Sequence, residues 1–374
     1  MERAFYDELA EKSINGEIPS DALCLEMLTS PRIELLRLLD AAYQVRRKYT
    51  GNEVQLHIIN NAQNGGCPED CHYCTQAKSS TTGIETFPVK PDAEILAEAQ
   101  RAYESGAYRY CMVFAGRGPS KSRIERLAGV IKTIKSQFPL QVCLSAGLIN
   151  REGVGILRDA GLDRLNHNLN TSEGHYPSVC TTHTYADRMD TLEAARDVGV
   201  ELCSGLIVGM GENADDIVEV AKTLRELRVS SIPVNFLLPF DGNVFSDAPD
   251  IAPDHCLRVL CLFRLPNSRA EIRVAAGREF HLRSMEVMAL YPANSLFIDG
   301  YLNAKGASRS RTLKMIQDAG FTIKADQSLE HLLEREKERD GSLSVLNREK
   351  PMKNLDELRP TFRAKDIPIK NDEL

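Results

Sequence analysis

The apolar positions change their period once along the chain. Up to residue 50 they recur at three- and four-residue steps. "SDALCLEML" and "SPRIELLRLLDAAYQVRRKY" line Leu and Ile along one face, with Ser or Asp ahead of them as caps. Residues 1–50 therefore read as an N-terminal helical segment. After Gly51, short β-rich runs alternate with longer helical stretches. The strand-like runs are "EVQLHIIN", "YRYCMVFA", "LQVCLSA", "LDRLNHNL", "VELCSGLIVG", "SIPVNFLL", "EIRVAA" and "NSLFIDG". Between them lie stretches such as "DAEILAEAQRAYESG" and "SRIERLAGVIKTIKSQF", several of which close on Gly as helix C-termini often do.

Eight strands, most followed by a helix, predict parallel βαβ units. Right-handed crossovers close such a sheet into an α/β fold, a (β/α)8 TIM-type barrel over residues 51–325. An open doubly wound sheet is the alternative, but it usually carries fewer strands. Residues 326–374 are highly charged and poor in aromatics, so a C-terminal extension is expected there, a surface helix followed by a flexible end without chemistry of its own.

Of the 374 residues, 43% are hydrophobic and 26% charged, which sustains a substantial core. A formal net charge of −7 gives no electrostatic reason to bind nucleic acid or an anionic membrane. No apolar run is long enough to span a bilayer, and "MERAFYDELAEKSINGE" holds no apolar signal region, so a cytoplasmic location is expected. In a reducing compartment the ten cysteines read as metal ligands or catalytic groups rather than disulfides. Cys24, Cys180, Cys256 and Cys261 have no partner at ligand spacing, and the last two lie in the helical run "DHCLRVLCLFRL" as apolar fillers.

The densest chemistry is "GGCPEDCHYCTQAKSS", where Cys67, Cys71 and Cys74 form C-x3-C-x2-C. Structural zinc sites close with four ligands, usually from two paired knuckles. No second knuckle follows here, and His72 offers no regular fourth position. Iron–sulfur cubanes also take cysteine thiolates, normally four. Three thiolates on a four-iron cluster leave one iron free for an exogenous ligand. A zinc knuckle remains the bland alternative.

Three further cysteines fall on separate strands: Cys111, Cys143 and Cys203, on the second, third and fifth. The separations, 143 − 111 = 32 and 203 − 143 = 60, are close to one and two βα units, and Arg273 lies 273 − 203 = 70 residues further on, in the seventh strand. Inward-pointing side chains on such strands converge on the barrel axis, so a second metal cluster competes with plain core filling. In "LNHNLN", Asn166, Asn168 and Asn170 alternate on one expected strand face. Three inward amides cost stability unless hydrogen-bonded, which favours a polar ligand.

The three-cysteine motif after the first strand resembles the radical S-adenosylmethionine superfamily. In that superfamily the cofactor's amino and carboxylate groups chelate the open iron of a 4Fe-4S cluster, and one electron cleaves the sulfonium to a 5′-deoxyadenosyl radical. "CPEDCHYC", "YRYCMVFAG", "NHNLNTS", "TTHTYADRMDTLEAARDVGVELCSG" and "IRVAAGRE", in that order, resemble the biotin synthase family over roughly residues 20–325.

The resemblance implies that Cys67, Cys71 and Cys74 hold the 4Fe-4S cluster, and that Cys111, Cys143, Cys203 and Arg273 hold a 2Fe-2S cluster that gives up sulfide. It places Tyr73 near the adenine, Asn168 between ribose and the ureido ring of dethiobiotin, and Asn170 on the ribose. Arg188 would meet the methionyl carboxylate and Asn235 the ureido ring. Many family members carry Asp where this chain has Asn170, which still bonds a ribose hydroxyl. Implied partners are dethiobiotin, a reducing protein such as flavodoxin or ferredoxin, and a second copy in a homodimer. The alternatives are sulfur insertion into another substrate, such as an octanoyl chain, and an iron–sulfur electron carrier or zinc-binding module.

The remaining signals are weak. "GMGE" at Gly209 to Glu212 reads as a βα turn rather than a phosphate loop, and solitary His167, His183 and His281 read as structural. No G-x-S-x-G element supports acyl transfer.

Overall fold

A computed structural model of the protein describes residues 2–340; the flexible end expected beyond them lies outside the described residues. Three helices open the chain: α1 (Arg3–Ile14), α2 (Asp21–Thr29) and α3 (Leu35–Thr50). Then follow β1 (Glu53–Gln63), α4 (Asp92–Glu104), β2 (Arg109–Phe114), α5 (Lys121–Gln137), β3 (Gln141–Ser145), α6 (Arg151–Asp159) and β4 (Arg164–Asn166). The second half holds α7 (Tyr185–Asp197), β5 (Glu201–Cys203), β6 (Leu206–Val208), α8 (Ala214–Glu226), β7 (Ser231–Phe236), α9 (Pro253–Arg264) and β8 (Glu271–Val274). It ends with α10 (Arg278–Leu282), β9 (Ser295–Phe297), α11 (Arg309–Asp318), β10 (Thr322–Ile323) and α12 (Leu329–Asp340).

Every strand pairs in parallel with its neighbour, and β9 returns to pair with β1, so the sheet closes into the expected eight-stranded barrel. The short β10 adds to the start of β1, outside that circuit.

Strand alternation sorts the side chains. Tyr110, Met112, Val142, Leu144, Ile232, Val234, Ile272 and Val274 face outward and are buried in the apolar layer beneath the helices. Tyr110 shows the direction, its hydroxyl donating to the carbonyl of Ile95 in α4 at 3.0 Å. The intervening positions, among them Cys111, Cys143, Cys203, Ser231 and Arg273, face the axis. The interior is thus polar and sulfur-rich, while the hydrophobic effect acts mainly between sheet and helices.

Two of the expected strands differ from the sequence reading. "VELCSGLIVG" is interrupted into β5 and β6, both of which pair with β7. At the break Gly205 lies so close to β7 that a Cβ there would sit 1.9 Å from the carbonyl oxygen of Pro233. The strand in "LNHNLN" stops at Asn166, because Asn170 takes a left-handed backbone with φ 71° and bridges to Leu206 instead.

Two fully buried arginines hold the lower end of the barrel. Arg46 of α3 donates to the carbonyls of Ala293 and Glu53 at 2.9 Å each. Arg264 of α9 donates to Pro292 and Ala270 carbonyls at 2.9 and 2.7 Å, to Ser268 at 3.1 Å, and to Asn294 Oδ1 at 2.7 Å. Burial pushes the Arg264 guanidinium down to about 9, still charged at neutral pH. Arg264→Met would leave those acceptors dry, so we expect a loss of about 3–5 kcal/mol, read as a lowered urea midpoint, with Arg264→Lys recovering only part.

Candidate active site

The loop after β1 turns back at Gly65, whose φ of 76° and closeness to Thr86 exclude a side chain: a Cβ would lie 2.5 Å from Thr86 Cγ2. Buried Gln76 ties the loop ends, its side chain accepting from Gly65 N at 3.0 Å and its carbonyl from Cys67 N at 3.3 Å. Cys74 N donates to Cys71 O at 3.0 Å, which folds Cys67, Cys71 and Cys74 into one turn. All three line a cavity of about 260 Å³ at the C-terminal mouth of the barrel. Cys71 is buried, whereas Cys67 and Cys74 are partly open.

Asp70 fastens this turn to the segment before α7. Its carboxylate accepts from Thr181 N at 3.0 Å, Thr182 N at 3.2 Å and Thr182 Oγ1 at 3.0 Å. Burial alone would raise its pKa, but these hydrogen bonds hold it well below the ordinary carboxylate value.

The docking brings in residues that spacing alone had set aside. Cys180 Sγ lies 3.7 Å from Cys71 Sγ and 3.3 Å from His183 Nδ1. The contact between the sulfurs, with help from His183, holds the Cys180 thiol low, at about 4, and pushes Cys71 up.

His183 is also a relay. Its Nδ1 lies 2.6 Å from Glu69 Oε2, and Arg188 Nη2 donates to its Nε2 at 2.9 Å, which assigns the proton to Nδ1. Arg188 sits on the first turn of α7, where Thr184 and Asp187 form a capping box. Besides His183 it meets the Tyr176 hydroxyl, the Asn168 carbonyl at 2.6 Å and the Tyr73 hydroxyl at 3.4 Å. Tyr73 in turn accepts from Asn170 Nδ2 at 2.6 Å.

Asn166, Asn168, Asn170, Arg188 and Asn235 all reach the same cavity as the cysteine turn. The Asn235 amide bridges strands, donating to Leu206 O at 3.0 Å and accepting from Ala276 N at 3.2 Å, so one hydrogen and one lone pair stay free for a ligand.

One layer deeper lies the second set. Cys111 and Cys143 stand opposite each other on β2 and β3, and with Cys203 they form one buried cluster against Ala275 and Phe297. Arg273 Nη1 approaches Cys203 Sγ at 3.8 Å, and Asn166 Nδ2 approaches it at 3.2 Å. Arg273 Nη2 is held by Ser231 Oγ at 2.7 Å and by Glu271, while its buried Nε has no hydrogen-bond partner among the described residues. Hydrogen bonding to Cys143 lowers Cys111; the contact with Cys111, against that with Cys203 and with the help of burial, raises Cys143 to about 12, and the contact with Cys143, with burial, raises Cys203.

A family model described as the Radical SAM superfamily matches residues 64–224, and one described as the Biotin and Thiamin Synthesis associated domain matches residues 233–322. A protein of Magnetococcus marinus named biotin synthase is 53% identical over 315 residues, covering 84% of this chain and 98% of that protein. One of Acaryochloris marina with the same name is 53% identical over 308 residues, covering 82% and 89%. Among solved structures, a methylornithine synthase superposes with a TM-score of 0.73 at 18% identity, covering 85% of this chain and 97% of that one. The FeFe-hydrogenase maturase HydG from Carboxydothermus hydrogenoformans gives 0.72 at 17%, covering 87% and 81%. At that identity the two share the fold.

Because Asp70 is held below its ordinary value of 3.8, its contribution to docking the cysteine turn is full above that pH and is lost as pH falls through the folded value. The difference in thermal midpoint between wild type and Asp70→Asn should therefore be widest near pH 6 and narrow steadily below about pH 4.

Proposed function

The chain belongs to the biotin synthase family, and on that footing we propose that it inserts sulfur between two unactivated carbons of dethiobiotin to make biotin. The observation that carries this reading is the stacking of two cysteine sets along one barrel axis, with a polar cavity above the deeper one. The residues fit the groups they would hold. Cys67, Cys71 and Cys74 offer three sulfurs from one turn to a 4Fe-4S cluster. Cys111, Cys143, Cys203 and Arg273, whose Nε is buried and unpaired, suit a 2Fe-2S cluster. When bound, the first cluster would supply the electron that cleaves S-adenosylmethionine to a radical, and the second the sulfur atom.

The chain's own work is binding, orientation and exclusion of water. Arg188 offers the methionyl carboxylate its charge and the one Nη1 hydrogen not given to Asn168, while Tyr176, Tyr73 and the Glu69–His183 pair fix the rotation of its guanidinium. Asn170 and Tyr73 hold the nucleoside end together. Asn168 and Asn235 offer amides that match the donor and acceptor edges of a cyclic urea. Arg273 keeps its proton, because Glu271 outweighs the cost of burial, so it would be a weak ligand to a cluster that must yield sulfide. Among the described residues no helix is long and apolar enough to cross a membrane. We assign the protein to the cytoplasm, as a homodimer reduced by a flavodoxin or ferredoxin.

Anaerobic incubation with dethiobiotin, S-adenosylmethionine and reductant should give biotin by mass; its absence with both clusters spectroscopically intact would overturn the reading. Cys67→Ala should abolish cofactor cleavage, whereas Cys143→Ala should retain cleavage and lose sulfur transfer. Equal loss in both would count against separate roles. Arg188→Lys should raise the KM for S-adenosylmethionine about ten-fold or more, with a smaller change in kcat, because an ammonium cannot hold Asn168, Tyr176 and His183 and still meet the carboxylate.

A further inference from the structure

The N-terminal mouth of the barrel holds a second polar cavity, of about 520 Å³, on the far side of the deep thiols from the active site. Its inner wall follows from strand period. Arg109, Gln141, Glu201 and Glu271 each stand two residues before Cys111, Cys143, Cys203 and Arg273, so each lies on the same face one layer below. The floor beneath the sulfur layer is therefore built from charged and amide side chains.

Five arginines line this cavity (Arg109, Arg164, Arg225, Arg228 and Arg269) against two glutamates, Glu201 and Glu271. The surplus of three positive charges, 5 − 2, stands out in a chain of net charge −7. The glutamates do not neutralise it evenly. Arg164 occupies both, at 2.6 Å each, and Glu271 is further held by Arg273 and by Ser295 Oγ at 2.8 Å. Arg109 is left over. It is 2% exposed, and its Nε and Nη1 have no hydrogen-bond partner among the described residues. Gln55 Oε1, on the same wall, is also buried and unpaired. A buried guanidinium with two idle donors costs stability unless an anion meets it.

We infer that this basal cavity binds a small inorganic anion at Arg109, and that its working ligand is hydrosulfide, admitted from below to the Cys111–Cys143–Cys203 site. The depth of Arg109 limits the ligand to a few atoms. The position fits sulfur supply because the opposite mouth is the one the active-site cavity occupies. A hydrosulfide S–H can donate to Gln55 while its charge meets Arg109. The identity of the ligand rests on the proposed sulfur-donor role of the deep thiols; the anion site itself does not.

Two measurements separate these parts. Crystals of the iron-loaded protein soaked in sodium bromide should show an anomalous peak within hydrogen-bond reach of Arg109 Nε and Nη1, and no peak there overturns the site. In solution, protein carrying only its loop cluster is given a ferric salt and sodium hydrosulfide, two of each assembling the second cluster with release of two protons and no net electron transfer, and return of that cluster's visible absorption is timed. The rate should saturate in hydrosulfide, and bromide should compete. Arg109→Gln should raise the half-saturating concentration about ten-fold and abolish the competition, with Arg109→Lys in between. Failure of bromide to compete in the wild type overturns the supply role without relying on any variant's folding. So does an unchanged concentration dependence in Arg109→Gln, and a bromide peak would then mark an adventitious ion only. If the wild type forms no second cluster, the sulfur-donor reading fails, and with it hydrosulfide as the ligand, while the bromide peak still decides the anion site.

Discussion

A single buried carboxylate organises the interior of this barrel. Glu271 is 6% exposed, yet it accepts from Arg164 at 2.6 Å and Ser295 at 2.8 Å, and it pairs with Arg273 and, at 3.1 Å, with His57. Those partners come from β4, β9, β8 and β1, so one side chain joins strands from half the circumference. A carboxylate this deep persists only if the attraction of its neighbours exceeds the cost of leaving water. Here it does: burial would raise its pKa, but the Arg273 and Arg164 charges hold it well below the usual range. The same balance decides the charges around it. Burial and the Arg273 charge push His57 down to about 3, so the imidazole stays neutral and Arg273 carries the charge that faces Cys203.

The parallel arrangement divides the labour between the two ends. All strands finish at the same mouth, and the loops that leave it bring together the cysteine turn, the asparagines and the Arg188 network. The opposite end is tied by Arg46 and Arg264, whose guanidinium groups satisfy carbonyls that would otherwise be buried without donors. Stability and chemistry thus reside at opposite poles, with the deep thiols between them.

The barrel was legible because eight short β-rich runs alternate with helical stretches; outward apolar and inward polar positions alternate cleanly within β3 and β8, and in β2 and β7 except at Val113 and Pro233. The cysteine turn was legible because its spacing is local. The deep set was legible only as recurrence at one or two βα units. Cys180, Glu69 and His183 were not legible from spacing: Cys180 meets Cys71 across 109 positions, and His183 meets Glu69 across 114. The quoted "TTHTY" and "CPEDC" contain His183 and Glu69, but nothing in either run says that they face each other. The end of β4 was hidden too, since the left-handed backbone of Asn170 is stabilised by its bridge to Leu206, another long-range contact.

Closure of the sheet also sets a timetable for biosynthesis. His57 of β1 pairs with Phe297 of β9, 297 − 57 = 240 residues later. At ordinary ribosomal speeds of roughly 5–20 residues per second, that interval lasts about 12–48 s. Throughout it, one flank of the first strand has no mate and exposes bare amides and carbonyls to whatever else is nearby. The nascent polypeptide therefore passes through a long vulnerable interval that ends only when the last stave of the cylinder emerges.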